Sequence, residues 1–152
     1  MNERWNLDPI YQGFDDPNFE ADLNTFQARC QELEQLTQNL EAMEPMDALR
    51  QSIELQERLV SVGYRLAGYA SLRQSAETKN TQASSAMGRV MAVFSTTAGP
   101  TARFERFAAK LPNLMELVER DELLRQYRFY FRRIQETSRY ILPGEGESIM
   151  AR

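Results

Sequence analysis

Residues 16–40 read DPNFEADLNTFQARCQELEQLTQNL, and this stretch decides the fold class. Asp16 before Pro17 predicts a helix start, because a carboxylate caps the first free N–H groups and proline costs nothing in the first turn. Seven side chains then recur at alternating steps of four and three residues: Phe19, Leu23, Phe26, Cys30, Leu33, Thr37 and Leu40. That spacing puts them on one face, so the stretch predicts a long amphipathic helix that ends before Pro45.

The next segment predicts a partner for this helix. Residues 46–75 carry a second apolar face, made of Met46, Leu49, Ile53, Leu59, Val60, Leu66, Ala67 and Ala70. Because the link around Pro45 is short, the two helices are expected to form an antiparallel hairpin. Glycine weakens a helix interior, so we expect Gly63 and Gly68 to serve the close approach of a neighbouring helix.

Further helices follow in the sequence pattern. A polar break at 77–80 precedes a third helix, expected to end near Ala98 at Gly99-Pro100, with an inner face of Ala83, Met87, Val90, Met91 and Phe94. Two shorter helices are predicted at 102–110 and 113–120. A stronger one is predicted at 121–140, with Leu123, Tyr127, Tyr130, Ile134 and Ile141 inward. The prediction is an all-α fold: a long antiparallel helical hairpin, a third helix packed beside it, and shorter following helices.

The domain prediction divides the chain unequally. Residues 1–142 are expected to form one helical lobe, since a chain of 152 residues can bury a core of its own. Pro143-Gly144 breaks the pattern, and residues 143–152 look like the start of a further helix. We interpret that last segment as a truncated element, which favours a lobe of a larger protein.

Residue counts exclude the common hydrolytic and metal chemistries within this chain. It has no histidine and one cysteine, Cys30, which removes the serine and cysteine dyads and the usual zinc ligands. We therefore expect no catalytic, cofactor-binding or metal-binding residue here, and expect Cys30 to be a small apolar residue on a helix face. The N-terminus has no signal-peptide pattern and no stretch is apolar for long enough to span a membrane, which favours a cytoplasmic protein without membrane contact.

Charge is distributed unevenly along the chain. Residues 1–60 contain 13 acidic and 4 basic side chains, whereas residues 61–152 contain 9 acidic and 14 basic ones. The arginines at 125, 128, 132 and 139 fall on one side of the predicted last helix, interleaved with aromatic residues. Such a pattern can bind nucleic acid, but the chain is acidic overall. We favour an arginine face that is solvated, or that pairs with the acidic hairpin or a partner domain.

Three stretches together resemble the N-terminal region of oligoendopeptidase F, in the thimet-oligopeptidase superfamily of zinc metallopeptidases. The first runs from Trp5-Asn-Leu7 through Tyr11 to Asp22-Leu23. The second is Tyr69-Ala-Ser-Leu72-Arg73 followed by Glu77-Thr78-Lys79-Asn80. The third contains Leu123, Tyr127, Phe129 and Arg133, then Tyr140-Ile-Leu142, Glu145, Glu147 and Ile149-Met-Ala151. Two departures stand in the third stretch: Tyr140 replaces the usual histidine, and Pro143-Gly144 interrupts a serine-acidic start.

The resemblance implies a lobe of a cytoplasmic peptidase. In that family the N-terminal helices form one wall of a deep cleft that admits short peptides. The zinc-binding His-Glu-x-x-His motif of the family lies much later in the chain, and no residue here matches it. The lobe would then be inactive alone. Its partners would be the C-terminal catalytic domain of the same protein, which supplies the zinc, and an oligopeptide substrate.

Two rival interpretations remain open at the level of sequence. One is a stand-alone helical interaction or scaffold module without enzymatic activity. The weaker one is an arginine-rich nucleic-acid binder. A severed lobe would expose apolar surface and could form a homodimer through it, whereas an adaptor would be monodisperse.

Overall fold

The computed structural model describes residues 11–76 and 81–139, and of Arg139 it describes the backbone alone. Those residues form helices and no strand, which confirms the all-α prediction. The predicted helix start at 143–152 and the predicted core residue Ile141 lie outside the described residues. The helices are α1 (Pro17–Gln38), a short 3-10 turn (Leu40–Ala42), α2 (Pro45–Ala76), α3 (Thr81–Ser95), α4 (Ala98–Lys110), α5 (Leu114–Arg120), α6 (Glu122–Arg125) and α7 (Arg128–Arg139).

The start of α1 follows the predicted capping chemistry. The Asp16 carboxylate accepts hydrogen bonds from the backbone N–H groups of Asn18 and Gln12, both at 2.9 Å. These two hydrogen bonds lower the pKa of Asp16. All seven residues of the predicted apolar face are buried, so the stripe in residues 16–40 is confirmed position by position.

The first three helices pack against one another. The start of α1 contacts the end of α2, as Phe19 and Tyr69 show with ring centroids 6.1 Å apart, so the two helices are antiparallel. Helix α3 returns along α2, and a hydrogen bond of 3.0 Å from Gln74 to Ser84 joins the end of α2 to the start of α3. An ion pair of 2.7 Å between Arg89 and Glu20 also joins α3 to α1. The hairpin with a third helix beside it is therefore present.

The two glycines of α2 differ in their surroundings. A Cβ atom on Gly63 would lie 2.5 Å from Phe94 Cζ and 2.8 Å from Phe26 Cζ. Gly63 therefore lets the aromatic rings of α1 and α3 approach the α2 backbone, as predicted. Gly68 is exposed and has nothing within 4 Å of such an atom, so the prediction of close packing is wrong there.

The end of α3 departs from the sequence prediction. Helix α3 ends at Ser95, and Gly99-Pro100 lies inside the first turn of α4 and does not end α3. Three consecutive hydroxyl groups explain the break: those of Ser95, Thr96 and Thr97 donate to the carbonyl three residues back, at 2.6, 2.6 and 2.7 Å. They satisfy carbonyls that would otherwise need the next helical turn. Met91, predicted to face inward, is 52% exposed.

The predicted long helix at 121–140 is two helices. The Asp121 side chain caps α6 by accepting from Leu124 N at 3.0 Å, and a turn at 126–127 separates α6 from α7. The break changes which residues reach the core: Leu124 and Phe131 are fully buried, whereas Leu123, Tyr127 and Tyr130 are half-buried. Of the residues predicted to face inward, Ile134 is buried.

Two apolar clusters share α2. The first joins α1, the C-terminal half of α2 and α3; the second joins the N-terminal half of α2 with α4 to α7.

Ion pairs link the acidic and basic halves of the sequence, namely Asp22 with Arg65, Glu20 with Arg89, and Glu34 with Arg103. The charge asymmetry is thus partly neutralised within the chain. In the part of the chain that the structure describes, no helix has the length and apolar character to cross a membrane.

Candidate functional site

Residues from two of the sequence motifs meet at the open end of the hairpin. Tyr11, from the first motif, has its ring centroid 5.0 Å from that of Tyr69, from the second. Phe14 and Phe19 complete the group, at 5.2 Å from Tyr69 and Tyr11 respectively. These four rings, the tyrosine cluster, pack mostly edge to face, the arrangement that favours aromatic pairs. The cluster fixes the segment before α1 onto the end of α2.

Polar partners complete the tyrosine cluster. The Tyr11 hydroxyl donates to Asp22 Oδ2 at 2.6 Å, and Arg73 Nε donates to the Tyr69 hydroxyl at 3.0 Å. Burial, and next the bond to Asp22, raise the pKa of Tyr11 far above its ordinary value. A phenol that holds its proton this firmly acts as a hydrogen-bond donor and not as a base at neutral pH. Asp22 also lies 3.8 Å from Arg65. The cluster is therefore built for positioning and not for catalysis.

A groove lies on the other side of α2, between α2, α4 and the start of α7. Its volume is about 670 Å³, and nine residues line it: Ile53, Gln56, Glu57, Val60, Ser61, Thr101, Glu105, Tyr127 and Tyr130. We call it the tyrosine–glutamate groove, because the Tyr127 hydroxyl donates to Glu57 and the Tyr130 hydroxyl donates to Glu105. A volume of this size falls in the usual range of ligand sites.

The charged side chains that line the groove, Glu57 and Glu105, are both acidic. The hydrogen bond to Glu57, followed by burial, raises the pKa of Tyr127 to about 12, and burial followed by the Glu105 charge raises that of Tyr130 further. Both phenols therefore stay neutral near pH 7. The Arg133 guanidinium lies over the Tyr130 ring, 5.8 Å from its centroid, beside the groove. Such a site can bind a cation or a hydrogen-bond donor, but its residues include no nucleophile with an activating base.

Sequence reasoning did not identify either of these sites. Tyr11, Asp22, Tyr69 and Tyr127 were quoted for the resemblance, and Glu57 and Glu105 were not singled out. The groove joins residues more than forty positions apart, so no local spacing could have revealed it. The tyrosine cluster had one signal, which was the number of aromatic residues close to the N-terminus.

The predicted arginine face is divided by the break before α7. Arg125 ends α6 and Arg128 begins α7, so the four arginines do not lie on one continuous helix. Arg128 pairs with Glu119 of α5 at 3.5 Å and not with the acidic hairpin. Phe129 is 75% exposed, with the Arg132 guanidinium 5.8 Å from its ring centroid. The arginines of this region are thus partly paired and partly solvated.

The described residues contain no metal-binding group and no exposed thiol. Across residues 11–76 and 81–139, no group of three His, Cys, Asp or Glu side chains could hold a metal ion. Cys30 is buried in the first apolar cluster, and burial raises the pKa of its thiol. A buried thiol of this kind stays protonated and inert. Cys30 is the small apolar residue that the sequence indicated.

Comparison of the chain with protein-family models, with curated proteins and with solved structures gives no match.

Proposed function

We propose that this chain is the N-terminal helical lobe of an oligoendopeptidase F-like zinc metallopeptidase, acting in the cytoplasm. The parent protein hydrolyses oligopeptides, and this lobe forms one wall of its substrate cleft. The lobe is inactive alone. Its role is to give the cleft its shape and surface charge, and to stabilise the catalytic domain against which it packs.

The observation that carries the proposal is the meeting of two motifs in the tyrosine cluster. The resemblance rests on Tyr11 and Asp22 in one motif and on Tyr69 and Arg73 in another, and these stretches are far apart in sequence. Within the fold, the Tyr11 hydroxyl binds Asp22 and the Tyr11 ring packs on Tyr69, which in turn binds Arg73. Motif residues that share one packing role are what a common ancestral lobe would retain.

The chemistry of the parent must come from elsewhere. The family's zinc requires two histidines of a His-Glu-x-x-His motif and a further carboxylate, and this sequence contains no histidine. The residues of this chain therefore do not fit the zinc ion. No step of hydrolysis is assigned to them.

The test is the coding sequence downstream of the Arg152 codon. An in-frame His-Glu-x-x-His in a further helical region is the expected result, and its absence from the continuous reading frame would contradict the proposal. A second measurement addresses inactivity: the purified chain is mixed with a quenched fluorescent peptide, with and without a zinc chelator. Chelator-sensitive cleavage by the chain alone would show that the catalytic centre has been misplaced.

A second candidate is a stand-alone helical interaction module, favoured by three large apolar side chains that are exposed. Tyr64, Met91 and Phe129 are 69%, 52% and 75% exposed. Exposed apolar side chains also suit a lobe that docks onto a catalytic domain. The oligomeric state in solution, measured by sedimentation, distinguishes the module from the lobe. A module is expected to sediment as a monomer at all concentrations, and a severed lobe to associate as its concentration rises.

A further inference from the structure

Two carboxylates, those of Glu57 and Glu105, line the tyrosine–glutamate groove. Neither Glu57 nor Glu105 has an ion-pair partner among residues 11–76 and 81–139, although the neighbouring Glu54 pairs with Arg50 at 3.4 Å. Each carboxylate receives one tyrosine hydroxyl at its Oε2 atom. A tyrosine donor does not cancel the formal charge of a glutamate, so two acidic side chains line the groove, with the Arg133 guanidinium over the Tyr130 ring.

Most of the remaining groove surface is apolar, although Gln56, Ser61 and Thr101 also line it. Ile53 is 3% exposed and Val60 is half-buried, and the rings of Tyr127 and Tyr130 stand at the α7 side. Glu105 is half-buried, and a charge beside apolar walls acts in a lower effective dielectric than a charge in bulk water, which strengthens its attraction for a cation. Glu57 is exposed and adds its charge at the solvent side of the groove. The complementary ligand has an apolar group adjoining a positive one.

A bare metal ion fits this site poorly. No third carboxylate, histidine or cysteine side chain joins Glu57 and Glu105 to form a metal-binding group in the described residues. Ca²⁺ and Mg²⁺ need six or more oxygen ligands, which two glutamates supply only with extensive hydration. Nucleic acid is disfavoured because the groove is negatively charged.

We propose that the tyrosine–glutamate groove binds a peptide segment in which a lysine or arginine adjoins an apolar residue. The basic group pairs with the carboxylates that line the groove, Glu57 and Glu105, and the apolar side chain lies against Val60 and the tyrosine rings. This inference goes beyond the proposed function, because binding in the groove needs no catalytic domain and would hold equally for a stand-alone module.

The experiment measures fluorescence anisotropy with the 152-residue chain. The probe is an N-acetylated peptide, Gly-Leu-Arg-Phe-Gly, with fluorescein at its C-terminus. Matched probes carry glutamine or glutamate in place of the arginine. We expect saturable binding of the arginine probe, weaker binding of the glutamine probe, and no binding of the glutamate probe. Raising the salt concentration should weaken the binding of the arginine probe more than the binding of the glutamine probe.

Variants of the chain test whether the peptide binds in the tyrosine–glutamate groove. Glu57→Gln combined with Glu105→Gln keeps an oxygen acceptor for each tyrosine hydroxyl and removes both charges, and should weaken binding about fivefold or more. Ser61→Trp, at an exposed position on the groove wall, should obstruct the groove without a change of charge. Glu116→Gln on α5 is the control, since Glu116 is exposed, pairs with Arg120 at 3.9 Å and does not line the groove. This control should leave binding unchanged.

Four results would overturn the proposal. They are the absence of saturable binding, equal affinity for the arginine and glutamine probes, loss of affinity in Glu116→Gln to the same extent as in the double variant, or no effect of Ser61→Trp. Sedimentation provides one more: a dimer that the Glu57→Gln and Glu105→Gln pair dissociates would make the groove an interface between copies of this chain. None of these results bears on whether a zinc domain follows Arg152, so the two proposals fail independently.

Discussion

Replacing Gly63 with alanine should destabilise the protein, whereas the same change at Gly68, five residues further along α2, should stabilise it. Alanine is about 1 kcal/mol more favourable than glycine in a helix interior, and this gain applies to both positions. At Gly68 nothing lies within 4 Å of the new methyl group, so the gain is realised in full. At Gly63 the methyl group meets two aromatic rings.

The cost at Gly63 follows from the distances. Carbon atoms attract one another best at about 3.5–4.0 Å, and the new Cβ would stand 2.5 Å from Phe94 Cζ and 2.8 Å from Phe26 Cζ. Phe26 is fully buried and packs on Phe94 with ring centroids 4.7 Å apart, so neither ring can move without disturbing the other. Overpacking of this kind costs about 1–3 kcal/mol. Because two rings are involved we take the upper value, which leaves a net loss of about 2 kcal/mol.

The assay is urea unfolding followed by far-ultraviolet circular dichroism. Gly63→Ala should lower the free energy of unfolding by about 2 kcal/mol and Gly68→Ala should raise it by about 1 kcal/mol, with the slope against urea unchanged in both. In thermal unfolding the two variants should differ by about 6–12 °C, for a chain of this size. Gly88→Ala on α3, also in open space, is a second stabilising control.

The Phe94→Leu background supplies the internal check. A shorter side chain gives the methyl group room, so Gly63→Ala should cost less there than in the parent sequence, and a double-mutant cycle measures the difference. If Gly63→Ala proves as stable as Gly68→Ala, the contact between α2 and the two rings is not as close as described. The reasoning about the packing of the first three helices would then be refuted.

Three further predictions concern polar groups. Ser52 is fully buried and its hydroxyl has no hydrogen-bond partner among residues 11–76 and 81–139, so Ser52→Ala should raise the free energy of unfolding by about 1 kcal/mol in the same urea assay. Tyr11→Phe removes a donor to Asp22 and should cost about 1 kcal/mol, whereas Tyr64→Phe, at an exposed ring, should cost nothing measurable. The hydrogen bond to Glu57, followed by burial, raises the pKa of Tyr127 in the folded state to about 12, from an ordinary value of about 10. The stabilisation from this hydrogen bond is therefore complete below about pH 10 and is lost as the pH rises to about 12, so alkaline unfolding should depend less steeply on pH in Tyr127→Phe.

The sequence predicted the first helix best, because there one physical signal dominates. Steps of four and three in α1 put Phe19 and Leu33 on the same face, and each turn repeats the information. The pattern is not interrupted by residues that could stabilise a competing turn. In such a segment the periodicity alone determines both the helix and its buried side.

The sequence failed where side chains compete with the helix for backbone groups. Ser95, Thr96 and Thr97 end α3 through hydroxyl–carbonyl hydrogen bonds, although Gly99-Pro100 is the more familiar break signal. Proline is tolerated in the first turn of a helix, so Gly99-Pro100 suits the start of α4 equally well. The run of three hydroxyl residues is the sequence signal for the end of α3.

The groove could not be predicted, because its two halves come from different parts of the chain. Glu57 is near the middle of α2 and Tyr127 lies in the turn before α7. The break between α6 and α7 is what brings Tyr127 and Tyr130 to the groove, and the sequence indicated a continuous helix there. Because the sequence did not predict the turn at 126–127, it could not predict the groove.

The two carboxylates of the groove also offer a way to separate folding from function. If Glu57 and Glu105 served the fold, replacing both with glutamine would lower the free energy of unfolding. Yet glutamine preserves the acceptor for each tyrosine hydroxyl, and no ion pair is lost because neither glutamate has one among the described residues. We therefore expect the double variant to change the free energy of unfolding by less than about 1 kcal/mol in urea. A larger loss would mean that the charges stabilise the fold itself, whereas an unchanged stability together with weaker peptide binding would place their role in recognition.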